Sequence, residues 1–407
     1  SMKTLIKLAW RNIWRNKRRT LITMASVFFA TILSTLMVSV KDGVQSNMIK
    51  NSVGDFFGYV QVQNADYKED QNVDNSIELT DSLKNTLSEN NNIKDFLPRI
   101  NSFALAAAEE NTKGTMVVGA DVEKEDLYNK ISERVVEGEY LKNDEQAILV
   151  GNGLAKSLKV EVGDTLVLMG QGYHGSTAAG KYNVKGIIKF GSPELSNRLV
   201  FLPIKAAQTL FGLENRYTSL NIQLENVNKF AATTNKLNKN LSNKNKAYNW
   251  QELLPQLYNM IETDKKEGYM FMFILYMVVS FGIFGTTLMM LAERKHEFGV
   301  LVSIGMKKSK LAISVWIEII TLTFLGAVAG MAAAFPICLY FYLNPIPLGE
   351  SLREITEEYG IEAVLQFSIK PSLFTTQATI IFVLACIISI YSLVKLLRFD
   401  PIKEMKE

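Results

Sequence analysis

The segment Gly170-Gln171-Gly172-Tyr173-His174-Gly175 fits G-x-G-x-x-G, and Gly175 to Lys181 overlaps it with the first seven positions of a phosphate-binding loop. Either pattern cradles phosphate only where a strand precedes it and a helix follows, so that the helix N-terminus can hold the anion. Thr165-Leu166-Val167-Leu168 supplies the strand, but Lys181-Tyr182-Asn183-Val184-Lys185-Gly186-Ile187-Ile188 is a second strand-like run, and Tyr182 stands where Ser or Thr would meet Mg²⁺. Nucleotide binding is therefore not expected here. Two strands joined by a Gly/Ser/Ala-rich tip, over Met169 to Lys181, fit better. Such a tip is either floppy or an arm that docks another protein, and its removal, Gly172 to Ala179, is expected to leave folding intact. Metal and acyl-transfer chemistry have as little support. His174 and His296 are the only two histidines and lie on opposite sides of the second apolar span described below, Cys338 and Cys386 sit inside apolar runs, and no G-x-S-x-G occurs.

One carboxylate is out of place. Glu318 lies about seven residues into an apolar run, roughly 10 Å from its end at 1.5 Å per residue. A group there faces protein or water: it is either bonded to polar groups of a neighbouring helix or involved in gating or substrate handling. Further along the same run, Gly326 and Gly330 with the surrounding alanines make a small-residue face that permits close helix approach in lipid.

The elements that must carry these residues follow from composition. The chain has 407 residues, a net charge of +3 and 48% hydrophobic residues, with a mean hydropathy of +0.07. That average suits a soluble region added to a set of membrane spans; the apolar content excludes disorder, and the small charge gives no support to nucleic-acid binding. Four runs reach the roughly 20 residues needed to cross a bilayer: residues 20–40, 269–292, 311–339 and 374–394. Lys and Arg collect before the first, between the second and third and after the fourth, whereas the 340–373 loop is acidic, with Glu350, Glu354, Glu357, Glu358 and Glu362. The positive-inside rule then places both termini and the 293–310 loop in the cytoplasm, and residues 41–268 and 340–373 outside. Residues 2–19, with Trp10 and Trp14, read as an amphipathic helix in the cytoplasmic interface, and the first span as an uncleaved anchor. Residues 41–268 mix strand and helix patterns without βαβ regularity, so the fold class expected is an α-helical membrane protein of four transmembrane helices with a large α+β extracytoplasmic domain between the first two. Residues 395–407 form a cytoplasmic tail.

The 293–310 loop is the most specific stretch. It runs Glu293-Arg294-Lys295-His296-Glu297-Phe298-Gly299-Val300-Leu301-Val302-Ser303-Ile304-Gly305-Met306. Charged residues are followed by apolar ones at helical spacing and closed by Gly305 as a C-cap, which describes a short helix with an apolar face that either rests on lipid or fits a partner's groove.

This loop resembles the coupling helix of ABC-transporter permeases of the MacB/LolC/LolE, FtsX-like type. Other parts are similar too: Ala9-Trp10-Arg11-Asn12-Ile13 with Arg18-Arg19-Thr20, the pattern Gly138, Ala147 to Asn152, Ala155, Leu158, Val160 and Val162-Gly163-Asp164, the entry Asn249 to Pro255, and the terminal Asp400-Pro401-Ile402 with Met405. The resemblance implies a permease that pairs with a second permease chain and whose loop, from Glu293 and Arg294 through Glu297, Phe298, Gly299, Val300, Leu301, Ile304, Gly305 and Met306, docks on a cytoplasmic ABC ATPase subunit. It implies no catalytic residue and no cofactor in this chain, ATP and Mg²⁺ being bound by the partner, and residence in the bacterial inner membrane in contact with lipid. The LolC/LolE branch extracts lipoproteins and hands them to a periplasmic carrier, recruited by a hairpin at the position of Gly170, Gly172, Tyr173, His174, Gly175 and Lys181. MacB-like export of a peptide or toxin through an outer-membrane partner, and an FtsX-like transducer that regulates a cell-wall hydrolase, are the alternatives.

Overall fold

The computed structural model describes residues 17–109, 111–349 and 364–398. Most of the 2–19 segment, the terminal Asp400-Pro401-Ile402 and part of the 340–373 loop lie outside the described residues.

Helix α1 (Lys17–Ile49) carries the first apolar run and passes into a π-helical turn, Lys50–Phe57. Gly58 closes that turn at φ 79°, its N–H donating to Val53 O at 2.7 Å. Then follow β1 (Val60–Asn64), β2 (Ile77–Glu78) and α2 (Asp81–Ser88), the last capped by Thr80, whose hydroxyl accepts from the Leu83 N–H. A long hairpin of β3 (Ile93–Ala108) and β4 (Asn111–Ala120) leads to α3 (Val122–Asn129), capped by Asp121. Strands β5 (Val135–Gly138) and β6 (Ala147–Gly151), helix α4 (Asn152–Leu158), strands β7 (Thr165–Gln171) and β8 (Thr177–Ile188) come next. The domain is completed by α5 (Pro193–Arg198), β9 (Leu199–Pro203), α6 (Ile204–Phe211), β10 (Arg216–Tyr217), β11 (Ser219–Leu224), α7 (Phe230–Asn240), β12 (Asn245–Asn249) and α8 (Trp250–Leu253), where Asn249 and Glu252 form a capping box.

Strand β3 belongs to two layers. Its first half is an edge of the antiparallel sheet β12–β1–β11–β3; its second half joins the ring β3–β4–β9–β6–β8–β7, which closes because β7 pairs back onto β3 from Ala104↔Gly170 to Ala107↔Val167. Ala104, Ala106 and Ala108 of β3 pack with Leu166, Leu168, Val184 and Val200 in one core. Leu199 and Phe201 of β9 point to a second core with Phe56, Val118 and Ile188, so β9 is buried on both faces and apolar throughout. Beside β6, the Lys185 ammonium donates to both oxygens of Glu145 at 2.7 Å and holds that carboxyl below its usual range.

The sheet β12–β1–β11–β3 buries Val60, Val62, Leu220 and Ile222 under α2 and α7. Its other face is polar yet buried. Arg99 of β3 makes a two-pronged contact with Glu125 of α3 (2.5 and 2.7 Å), donates to Phe56 O at 2.6 Å and lies over the Phe56 ring. Asn221 donates to the carbonyls of Phe56 and Phe57, and Gln61 also donates to Phe57 O. The carbonyls left open at the end of the π-helical turn are thus taken up by side chains of the sheet.

The remaining helices are α9 (Pro255–Glu293), α10 (Lys295–Ser303), α11 (Lys308–Leu343) and α12 (Pro371–Leu397), with a two-residue pairing of β13 (Ile346–Pro347) and β14 (Val364–Leu365). Thr20–Phe57, Pro255–Glu293, Lys308–Leu343 and Pro371–Leu397 are each long and apolar enough to cross a membrane. The 39 residues of α9 amount to about 58 Å of helix against roughly 30 Å of hydrocarbon. Gly326 and Gly330 of α11 let α1 approach closely: a Cβ at Gly330 would stand 2.7 Å from Phe28 O and 2.8 Å from the Thr31 Cβ. Tyr276 of α9 donates to Gln377 of α12 at 2.6 Å, a side-chain bond between the otherwise apolar runs of two helices.

A candidate docking site

The loop between α9 and α11 is a helix with two apolar faces. Arg294 breaks α9 at φ −102°, ψ 7°, and α10 begins at the next residue. Four residues after Arg294, Phe298 is 1% exposed and packs with Met290 and Leu291 of α9, Leu311, Ala312 and Val315 of α11 and Leu396 of α12. Gly299 is buried beside it, and Val302 and Met306 are partly buried against the same cluster. The opposite face is open, with Val300 exposed and Ile304 at 76% exposure, and Leu301 is exposed at its flank. Glu293, His296 and Glu297 ring it as exposed polar groups. The helix ends in a Schellman motif: Met306 N–H bonds Leu301 O and Gly305 N–H bonds Val302 O, each at 3.0 Å, with Gly305 at φ 103°. A side chain at that φ is strained, so the residue type follows from the turn.

Of the residues expected to touch an ATPase, the structure leaves Glu293, Glu297, Val300, Leu301 and Ile304 on the open side. Arg294, Phe298 and Gly299 are turned inward against the rest of the chain; period alone did not tell which apolar face would be covered. Arg294 is 3% exposed and Glu318 0%. The Arg294 Nη1 donates to Glu318 Oε2 at 2.6 Å, its Nε to Glu297 Oε2 at 3.0 Å, and its guanidinium lies over the Phe298 ring. Of the two readings left open for Glu318, the structure gives it an ionic partner on the chain segment preceding α10.

The hairpin exists, with β7 and β8 paired from Thr165↔Asn183 to Gln171↔Thr177. Its tip is not a free arm, and its contacts speak against the expectation that Gly172 to Ala179 could be removed with folding intact. Tyr173 packs against the ring's core and under Arg216, the His174 N–H donates to Asp74 Oδ1 at 2.6 Å, and a Cβ on Gly172 would meet Phe211 O. Gly170 pairs with Ala104, Gly175 takes φ 73° in the turn, and Lys181 is an exposed strand residue paired with Val167. The strand β8 after the glycines leaves no helix N-terminus for phosphate. The hairpin's wall does present apolar surface: Met169 lies beside Leu105, and both are exposed with Phe103 in a groove that also contains Lys113 and Arg198. Sequence reading missed this patch because Leu105 falls in an alanine-rich run that scores as helix.

Residues 20–240 match the MacB-like periplasmic core domain and residues 269–401 the FtsX-like permease C-terminal region. The lipoprotein-releasing system transmembrane protein LolC of Neisseria meningitidis is 20% identical over 326 residues, 77% of this chain and 75% of that protein. LolE of Haemophilus influenzae is 24% identical over 233 residues, and the match spans 55% of each chain. Among solved structures, the periplasmic region of MacB from Actinobacillus actinomycetemcomitans is 15% identical with a TM-score of 0.35, covering 52% of this chain and 96% of that one. The extracellular domain of the noncanonic ABC-type transporter YknZ from Gram-positive bacteria is 16% identical with a TM-score of 0.33, covering 47% of this chain and 100% of its own.

Proposed function

Because the chain belongs to the family of ABC-transporter permeases that join a MacB-like periplasmic core domain to an FtsX-like C-terminal region, we propose that it draws lipoproteins from the membrane for a soluble carrier, driven by ATP hydrolysis on a separate cytoplasmic subunit. Family members work with such an ATPase. In this reading α10 lies in the cytoplasm, the termini flank it on the same side, and the 41–268 domain stands in the periplasm beside a second permease chain. ATP and Mg²⁺ are held by the ATPase, and the four helices meet lipid.

The single observation that carries the coupling role is α10 itself: one face is fixed to the adjoining ends of three membrane helices by Phe298, while Val300, Leu301 and Ile304 stand open. An apolar face of that size on a short helix is satisfied by a groove on a partner. Lipoprotein as cargo is supported by the relatives, which are named for lipoprotein release. A carrier would be met by the exposed Met169, Leu105 and Phe103 rather than by the stitched hairpin tip.

The test is purification of the tagged chain from its native membrane with mass spectrometry of what comes with it. A lone ATPase together with lipoprotein is the expected result. An adaptor and an outer-membrane channel would replace lipoprotein release by peptide or toxin export, and a cell-wall hydrolase would make the chain a transducer. Leu301→Asp should lower ATPase capture at least about ten-fold while the chain still folds, since burying an unpaired carboxylate in the groove is costly; unchanged stoichiometry would remove α10 from the interface.

A further inference from the structure

We infer that Arg294, clamped between Glu318 and Glu297, is the positioning residue that fixes the angle between the docking helix α10 and the membrane helix α11, so that the two move as one piece. The inference rests on the docking role proposed for α10.

Four observations meet at this residue. Arg294 occupies the non-helical break between α9 and α10, so its side chain is not committed to either helix's surface. The guanidinium contacts Glu318, 24 residues further on in α11, and Glu297, in the first turn of α10. The side chains of Arg294 and Glu318 are 4% and 1% exposed, so neither is screened by water. The guanidinium plane also covers the ring of Phe298, which anchors α10 to the helix ends.

A buried ion pair is a poor source of stability compared with well-packed apolar side chains, because both charges must be stripped of water. What it supplies is direction. A planar fork with donors at fixed angles accepts two carboxylates in few arrangements, whereas the apolar contacts of Phe298 tolerate sliding. Without the fork, α10 would keep its contact with the helix ends but lose a defined orientation on α11. A pull on the open face would then be spent in tilting α10. The exposed face (Val300, Leu301, Ile304) takes no part in the clamp, so partner binding and transmission are separable.

The experiment places spin labels at Ser303→Cys on α10 and Val328→Cys on α11 of the full chain in lipid nanodiscs, with Cys338 and Cys386 replaced by alanine. Distance distributions are measured by electron–electron double resonance, and capture of the ATPase subunit is measured on the same samples. The variants are Glu318→Gln, Arg294→Lys, and the double Arg294→Gln/Glu318→Gln, which removes both charges of the pair together and so guards against misfolding. The clamp predicts that the double variant broadens the distribution at least about two-fold while its ATPase affinity stays within about three-fold of the parent's, and that Arg294→Lys, which keeps the charge but not the fork, falls between. An unchanged distribution in the double variant overturns the inference. So does a parallel loss of distance definition and ATPase capture, which would mean that the pair merely keeps α10 folded. The distances are read without the ATPase, so a parent chain that is narrow yet captures no ATPase would refute the docking role while leaving the clamp's geometry intact.

Discussion

Arg99 and Glu125 meet inside the periplasmic-type domain with 1% and 0% of their side chains exposed. The pair also engages Asn129, whose amide donates to Glu125 at 2.6 Å, and the Phe56 carbonyl. A charge in such a place is tolerable only while every partner is present. Arg99→Met should therefore destabilise the domain by about 3–5 kcal/mol, since Glu125 would be left charged and dry, whereas Arg99→Met/Glu125→Met should recover most of that loss. Chemical unfolding followed by Trp250 fluorescence measures both; equal costs for the single and double variants would mean that packing, not charge, sets the effect. Nothing in the sequence marks this arginine. Gln61 and Gln63 alternate with Val60 and Val62 as in any half-solvated strand, and the polar face is dry only because the end of the π-helical turn covers it.

At the scale of elements, helix pairs depend on which small residues face a neighbour. Gly326 and Gly330 do; Gly282 and Gly285 of α9 have nothing within 4 Å of a built Cβ. Gly330→Leu should push α1 and α11 apart and cost about 1–3 kcal/mol, as overpacking does, while Gly282→Ala should be neutral or slightly stabilising to the helix. Thermal melting of the purified chain distinguishes them; a loss at Gly282 as large as at Gly330 would mean that general helix flexibility, not close approach, is what the glycines serve. The docking helix shows the same division of labour. Its length and its Gly305 stop were legible in the order charged, apolar, glycine. The choice of buried face was not, because Phe298 and Val300 fall on opposite sides of the helix and are both apolar, and only the positions of α9, α11 and α12 decide between them.

For the whole molecule, the closed ring of the domain turns the β7–β8 hairpin from an appendage into a wall. Deleting Gly172 to Ala179 should unfold the ring or leave the chain prone to degradation, because it removes the turn that brings β8 back along β7 together with the Tyr173 and His174 contacts. Limited proteolysis of the deletion variant reads this out directly: a domain as resistant as the parent's would show that the tip is dispensable after all. The sequence by itself determined the four membrane-crossing runs, the α+β character of the large domain, the strand that follows the glycine motif and the short helix between the second and third runs, since each rests on local pattern: apolar length, period, and the demand of a turn for glycine. It did not show β3 as a strand, whose Ala104 to Ala108 favour helix taken alone, nor that β7 closes the ring against it, nor that Arg294 would find Glu318. Those outcomes depend on residues distant in the chain competing for the same partner, and the winner is set by which pairing leaves no backbone group and no charge unpaired in a dry interior.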